Sequence, residues 1–222
     1  MCNLGLVPYA EALTLQESVR RARQADEIPD TLLLLEHPPV YTYGRRSDER
    51  ELPAGPRVLH DTPIELAAVD RGGRVTYHGP GQLVGYPIVR IGDVIGYLRT
   101  VEAAIIAALT QEGIAAQGGG ERPTGVWTGG RKIASIGVHV SRRVTMHGFA
   151  VNADNDLEPF TWIVPCGLDG VQMTSIARET GRARTLETFR VHVADAFVSA
   201  FDRRPRAVDP PRLLGALGAT VG

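Results

Sequence analysis

Lys132 is the only lysine in a chain of 222 residues, set in GGRKIASIG (Gly129 to Gly137), and every other basic side chain is an arginine. An arginine keeps its proton in a protein, whereas a lysine amine can release one once it is desolvated. The position that kept lysine is therefore a candidate for proton transfer. A surviving lysine on a solvated turn is the plain alternative. The second candidate is Cys166, in VPCGLDG, one of two cysteines in the chain. Between Pro165 and Gly167 its thiol can be presented to a cleft, with backbone N–H groups nearby for a developing oxyanion. A small buried hydrophobe is the competing reading, as for most free cysteines. The two residues together are more informative than either alone. A thiol with a pKa of ~8.5 is only partly ionised at neutral pH, and a nearby ammonium favours the thiolate.

His78 in TYHGPG and His147 in MHGFA are the histidines set among glycines, and each can serve as a base or as a loop-orienting hydrogen-bond partner. Two glycine-rich stretches fail as nucleotide sites. GVWTGGRK (Gly125 to Lys132) has Arg131 inserted before the lysine and Ile133 where a Ser or Thr would hold Mg²⁺. GPGQLVG, from Gly79, has the wrong glycine spacing, and Pro80 blocks a helix start.

The elements that must position these residues follow from periodicity. Residues 3–8 read as an edge strand, and Ala10 to Glu27 as a helix with Leu13, Val19 and Ala22 inward. Strands are expected at Thr31 to Leu35 and at VYTYG, after the turn at His37 to Pro39. Two more flank the Arg71 to Gln82 loop. Asp93 caps a helix whose stripe is Leu98, Val101, Ile105, Ala108 and Leu109. GVWTG, RKIASIGVHV and VTMHGFAVN read as three antiparallel strands, with SRR as a turn. One further strand is expected after Cys166, then a helix from Leu186 to Phe201 with Phe189, Val193, Ala196, Phe197 and Ala200 inward. The resulting order, β, α, ββ, ββ, α, βββ, β, α, points to an α+β (mixed α/β) domain: a mostly antiparallel or mixed sheet with helices packed on one side. Residues 1–202 form one domain on this reading, and 203–222 a Pro-rich, poorly ordered tail with a turn near Leu213 to Leu217.

Composition limits the function classes. With 43% hydrophobic and 22% charged residues the chain can bury a substantial core, and a net charge of −1 gives no global attraction to nucleic acid or to an anionic membrane. The start, MCNLGLVPYAEALT, has no signal-peptide pattern, and no later run approaches the ~20 apolar residues of a membrane span. A cytoplasmic protein is expected. Cys2 and Cys166 then read as independent thiols, and no metal-type Cys/His spacing occurs.

Four stretches, RGGRVTYHGPGQLVGYPI (Arg71 to Ile88), GRKIASIGVHV (Gly130 to Val140), HGFAVN (His147 to Asn152) and IVPCG (Ile163 to Gly167), together closely resemble the lipoyl(octanoyl) transferases. They come in that family's order, and the resemblance extends to about residue 200. It implies a domain similar to the catalytic domain of biotin and lipoate ligases, and ping-pong acyl transfer on a Cys166/Lys132 dyad. Substrate-binding segments carry over onto Arg71, Gly72, Gly73, Arg74, Val75, Thr76, Tyr77 and His78; onto Ser135, Ile136 and Gly137; and onto Gly148, Phe149 and Ala150. His147 is a supporting residue. The implied donor is octanoyl-acyl carrier protein. The implied acceptors are the lipoyl domains of 2-oxo acid dehydrogenase complexes and the glycine cleavage H protein. No cofactor or metal is implied. Since carrier proteins are acidic, a basic rim is expected among Arg45, Arg46, Arg74, Arg142 and Arg143. The rivals are an ATP-dependent lipoate or biotin ligase of the same fold, a non-catalytic acyl- or carrier-binding protein, and a cysteine hydrolase. The last lacks an ordered Cys-His-Asn set.

Overall fold

The computed structural model describes residues 1–48, 64–120, 122, 124–163, 171–183 and 186–217. Cys166 lies outside the described residues. The elements are β1 (Cys2–Leu6), α1 (Tyr9–Gln24), β2 (Thr31–Glu36), β3 (Val40–Tyr43), β4 (Glu65–Ala68), β5 (Thr76–His78) and β6 (Gln82–Ile88). They continue with α2 (Val94–Gln111), β7 (Gln117–Gly118), β8 (Gly125–Thr128), β9 (Arg131–Ser141), β10 (Val144–Asn152), a 3-10 turn (Glu158–Trp162), α3 (Ile176–Thr180), α4 (Leu186–Ala200) and α5 (Pro210–Ala216).

Seven strands form the main sheet in the order β1-β2-β6-β10-β9-β8-β7, parallel only between β1 and β2, and β4-β3-β5 form a second, small sheet. The sheet is mixed, as expected. The helices, however, cover both of its faces rather than one. Along β2, Leu33 and Leu35 pack toward Ala12, Val19 and Ala22 of α1, while Leu32 and Leu34 pack toward Val101, Ile105, Phe189 and Val193 of α2 and α4. Uninterrupted apolar runs such as TLLLL explain this, because a strand buried on both faces needs cover on both. The apolar α2 has a length and composition that would suit a membrane span, yet it packs along α4 and over the sheet. Asp93 caps it, accepting from the N–H groups of Ile95 and Gly96.

Three smaller differences follow from geometry. The inner face of α1 is Tyr9, Ala12, Gln16, Val19 and Ala22, so the helix starts one residue earlier and places a glutamine in the core. Ala200, expected inward, is exposed at the last turn of α4. Of the strand expected after Cys166, the described residues from 171 onward show one bridge, between Lys132 and Met173. The residues from 203 onward carry α5, started by Asp209, whose side chain accepts from Arg212 N–H, with Pro210 in the first turn. Leu213 is buried among Cys2, Ala12 and Leu33, and the Val208 N–H donates to the Met1 carbonyl.

Gly85 on β6 exists to admit Phe149. A Cβ there would fall 2.0 Å from the ring, and the ring is itself stacked on Phe197 with centroids 4.9 Å apart. Gly85→Ala is therefore expected to lower stability by about 1–3 kcal/mol, an overpacking effect equal to several °C in a chain of this size. Thermal melting of the variant checks this.

Candidate active site

One cavity of about 510 Å³ collects most of the residues singled out above: Arg71, Gly72, Gly73, Arg74, Val75, Thr76 and His78; Lys132, Ser135, Ile136 and Gly137; and His147, Gly148, Phe149 and Ala150. Cross-strand register explains why two distant motifs meet, since Ser135, Ile136 and Gly137 on β9 pair with Ala150, Phe149 and Gly148 on β10. Tyr77 is not on the lining. Alternation along β5 sends Thr76 and His78 to the cavity and turns Tyr77 away, against Tyr41 and Phe160 with centroids 5.5 Å apart in each case. Val94 and Leu98 from α2 and Val84 and Tyr86 from β6 complete apolar walls; of these, Leu98 was expected only in the core stripe of its helix.

Lys132 is 1% exposed, yet it lines the cavity. Its backbone is fixed on both sides: its N–H donates to the Gln172 carbonyl at 2.9 Å, and the Thr174 N–H donates to its own carbonyl at 2.9 Å. The chain that follows the cysteine segment is thus tied to the lysine. Its Nζ sits 5.6 Å from the centre of the Trp127 ring, close enough for a cation–π contact. Arg131, the neighbouring residue, does what arginine does best: its fork grips Glu179 at 3.0 and 2.8 Å. Two adjacent basic residues therefore serve different ends, one clamping a carboxylate and one reaching a cavity.

Arg71 is largely a brace. It is buried, and its guanidinium donates to the Thr42 carbonyl and hydroxyl, each at 2.8 Å, and to the carbonyls of Gly72 and Arg74. The Gly72 N–H donates to Val138 at 3.0 Å, joining this loop to β9. His78 Nδ1 contacts Gln82 Oε1 at 2.7 Å, and the Gln82 amide donates to the Tyr77 carbonyl and to Asn152 Oδ1. Gln82 Oε1 is an acceptor in that network, so Nδ1 carries the proton. Burial, chiefly, pushes the pKa of His78 down to about 3, which makes it a neutral anchor at physiological pH. His37 lies beside it, with ring centroids 5.7 Å apart. Its Nδ1 donates to the Val7 carbonyl and its Nε2 accepts from the Tyr86 hydroxyl, both at 2.7 Å, and burial brings its pKa to about 4.

His147 has a left-handed φ of +59° within β10, and its N–H donates to Gln16 Oε1 on α1 at 2.9 Å. That backbone is strained for a non-glycine residue, and the buried glutamine helps to hold it. Its Nε2 meets Asp70 Oδ1 at 2.8 Å, while Asp70 Oδ2 lies 2.5 Å from His139 Nδ1. Burial pushes His147 below its ordinary pKa, against the pull of Asp70. Of the expected basic rim, Arg46 and Arg74 are on the cavity lining, while Arg142 and Arg143 form the β9–β10 turn with positive φ and are not on it; Arg45 is exposed near Arg46, off the lining. Among the described residues no group of three or more His, Cys, Asp or Glu could hold a metal ion.

The family profile of the lipoyl protein ligase A/B catalytic domain matches residues 8–198. The chain belongs to that family. An Acidothermus cellulolyticus protein named octanoyltransferase is 50% identical over 84% of each chain, and one so named from Geobacter sulfurreducens is 46% identical over 94% of this chain and 89% of its own. In fold, the chain is similar to a bipartite lipoate protein ligase from Thermoplasma acidophilum (TM-score 0.76, 16% identity, 97% of this chain and 89% of that one). Gln16, Asp70 and Glu102 escaped the sequence reading. The signal available for two of them was a polar residue at a core position of an otherwise apolar helix stripe (Gln16) and a lone acid in an apolar helix (Glu102).

Proposed function

We infer that this protein is an octanoyltransferase, moving an octanoyl group from an acyl carrier protein to the lysine of a lipoyl domain in protein lipoylation. The observation that carries this is the placement of the only lysine on a cavity with apolar walls and a basic side, built largely from the motif segments, in a chain 50% identical over 84% of its length to a named octanoyltransferase. The walls suit an alkyl chain, whose transfer from water contributes up to about 0.8 kcal/mol per buried CH₂. The specific acceptors are lipoyl domains of 2-oxo acid dehydrogenase complexes and the glycine cleavage H protein, and a cytoplasmic location belongs to the same proposal. Arg46 and Arg74 at the cavity suit the acidic carrier.

In the mechanism we propose, the Cys166 thiolate attacks the octanoyl thioester carbonyl. The carbon–sulfur bond to the carrier breaks, and the departing sulfur takes a proton from the Lys132 ammonium. The acyl-enzyme is again a thioester, so this half-reaction is nearly balanced in energy. In the second half the acceptor amine attacks, Lys132 takes the proton that the nitrogen releases, and Cys166 leaves as thiolate. Conversion of thioester to amide drives the cycle forward, without ATP.

Mixing the protein with octanoyl-acyl carrier protein is expected to give an acylated chain by intact mass spectrometry, and Cys166→Ala is expected to give none. An adduct that persists in the alanine variant would overturn Cys166 as the nucleophile, and transfer from free octanoate that depends on ATP would overturn the mechanism in favour of a ligase.

A further inference from the structure

Helix α2 has 18 residues and one carboxylate, Glu102. It is half-buried beside Val101 and Ala104 of the core face, a position that is unfavourable for a charge unless donors meet it. The donors are backbone. The N–H groups of Gly119 and Gly125 point to Glu102 Oε1 at 3.4 and 3.2 Å. A Cβ on Gly118 would fall 2.8 Å from Glu102 Oε2, so a side chain there would meet the carboxylate. Gly118, Gly119 and Gly125 are thus arranged around one acid.

Gly125 faces the lysine as well. It has φ +146°, and a Cβ there would fall 2.4 Å from the Ala134 carbonyl oxygen, 2.7 Å from Lys132 Cε and 3.3 Å from Lys132 Nζ. The end of the lysine side chain therefore lies against the bare Cα of the residue whose N–H the carboxylate holds. Trp127, whose ring approaches the same Nζ, is two residues further along β8. We propose that Glu102 is a positioning residue for Lys132, acting through Gly125: it fixes the start of β8 so that the ammonium is held at the cavity. This rests on Lys132 being the proton-transfer residue.

Two conservative variants separate hydrogen bonding from charge. Glu102→Gln keeps an Oε1 acceptor at the same reach and loses the charge. Glu102→Asp keeps the charge and is one methylene short of the glycine N–H groups. Kinetics of octanoyl transfer from octanoyl-acyl carrier protein are expected to leave kcat of E102Q within about threefold of the parent, and to lower kcat of E102D by about 10- to 100-fold with KM for the donor nearly unchanged, as for a displaced reacting group. The proposal is overturned if E102D keeps near-parent kcat, if E102Q falls as far as E102D, if the loss appears in KM, or if it merely follows loss of folded protein in a thermal melt. Lys132→Arg is assayed alongside. Full activity there would remove the lysine assignment itself, whereas an inactive K132R beside an active E102D removes only the role of Glu102.

Discussion

Replacing Lys132 with arginine is expected to lower octanoyl transfer by about 10²–10⁴-fold, the range for removing a positioned general acid–base, although the positive charge is kept. The reason is chemical. The proposed cycle needs one group that gives a proton to the departing carrier sulfur and takes one from the incoming amine, and a guanidinium keeps its proton throughout. Charge alone would favour the thiolate in either variant, so the comparison isolates proton transfer. The position is tight, being 1% exposed with Gly125 against its last carbon, and Lys132→Met, similar in length and uncharged, controls for packing. Steady-state kcat for both variants, with melting curves to establish that they are folded, is the measurement. K132R turning over at near-parent rate would mean that only the charge matters.

Acid is expected to destabilise the fold steeply from about pH 6.5 downward, before carboxylates titrate. His37 and His78 have folded pKa values pushed by burial to about 4 and about 3. In the unfolded chain each takes a proton near pH 6.5, so below that pH the unfolded state binds protons that the folded state refuses. Stability is therefore full above about pH 6.5 and falls as pH drops toward the folded values, by about 1.4 kcal/mol per pH unit for each histidine. His147, also pushed down, acts in the same direction. Asp30, Asp70 and Glu179 have lowered pKa values, so their stabilisation is lost only at more acidic pH. Urea unfolding between pH 7.5 and pH 4.5 tests this. A midpoint that stays level across the range would mean that the buried histidines accept protons without opening the fold.

The sequence made the β9–β10 hairpin, α2 and α4 readable because each has a clean period, and the motifs located most of the cavity lining but not Tyr9, Val94, Leu98 or Thr124. What it hid was long-range. That TLLLL would be covered twice depends on β2 sitting between β1 and β6, an arrangement no local pattern encodes. Tyr77 was grouped with its neighbours because a linear motif does not mark which residues of a strand face the ligand. Gln16 reaches His147 from 131 positions away in the chain, and its meaning appears only when α1 lies over β10. The tail looked unstructured because its proline content hides a short capped helix whose one buried side chain is Leu213.

Gly137 and Gly148 stand opposite one another across the β9–β10 ladder, and neither has room for a side chain. A Cβ on the first would press on the Gly72 carbonyl oxygen at 2.8 Å, and on the second on the Gly85 carbonyl oxygen at 2.1 Å. This part of the cavity wall is therefore made of peptide rather than of side chains. Its outline is closed to side-chain substitution at these two positions, and under the proposed function any change in the room offered to an acyl chain is expected to come from the flanking side chains of Val94, Leu98, Ile136 and Val138.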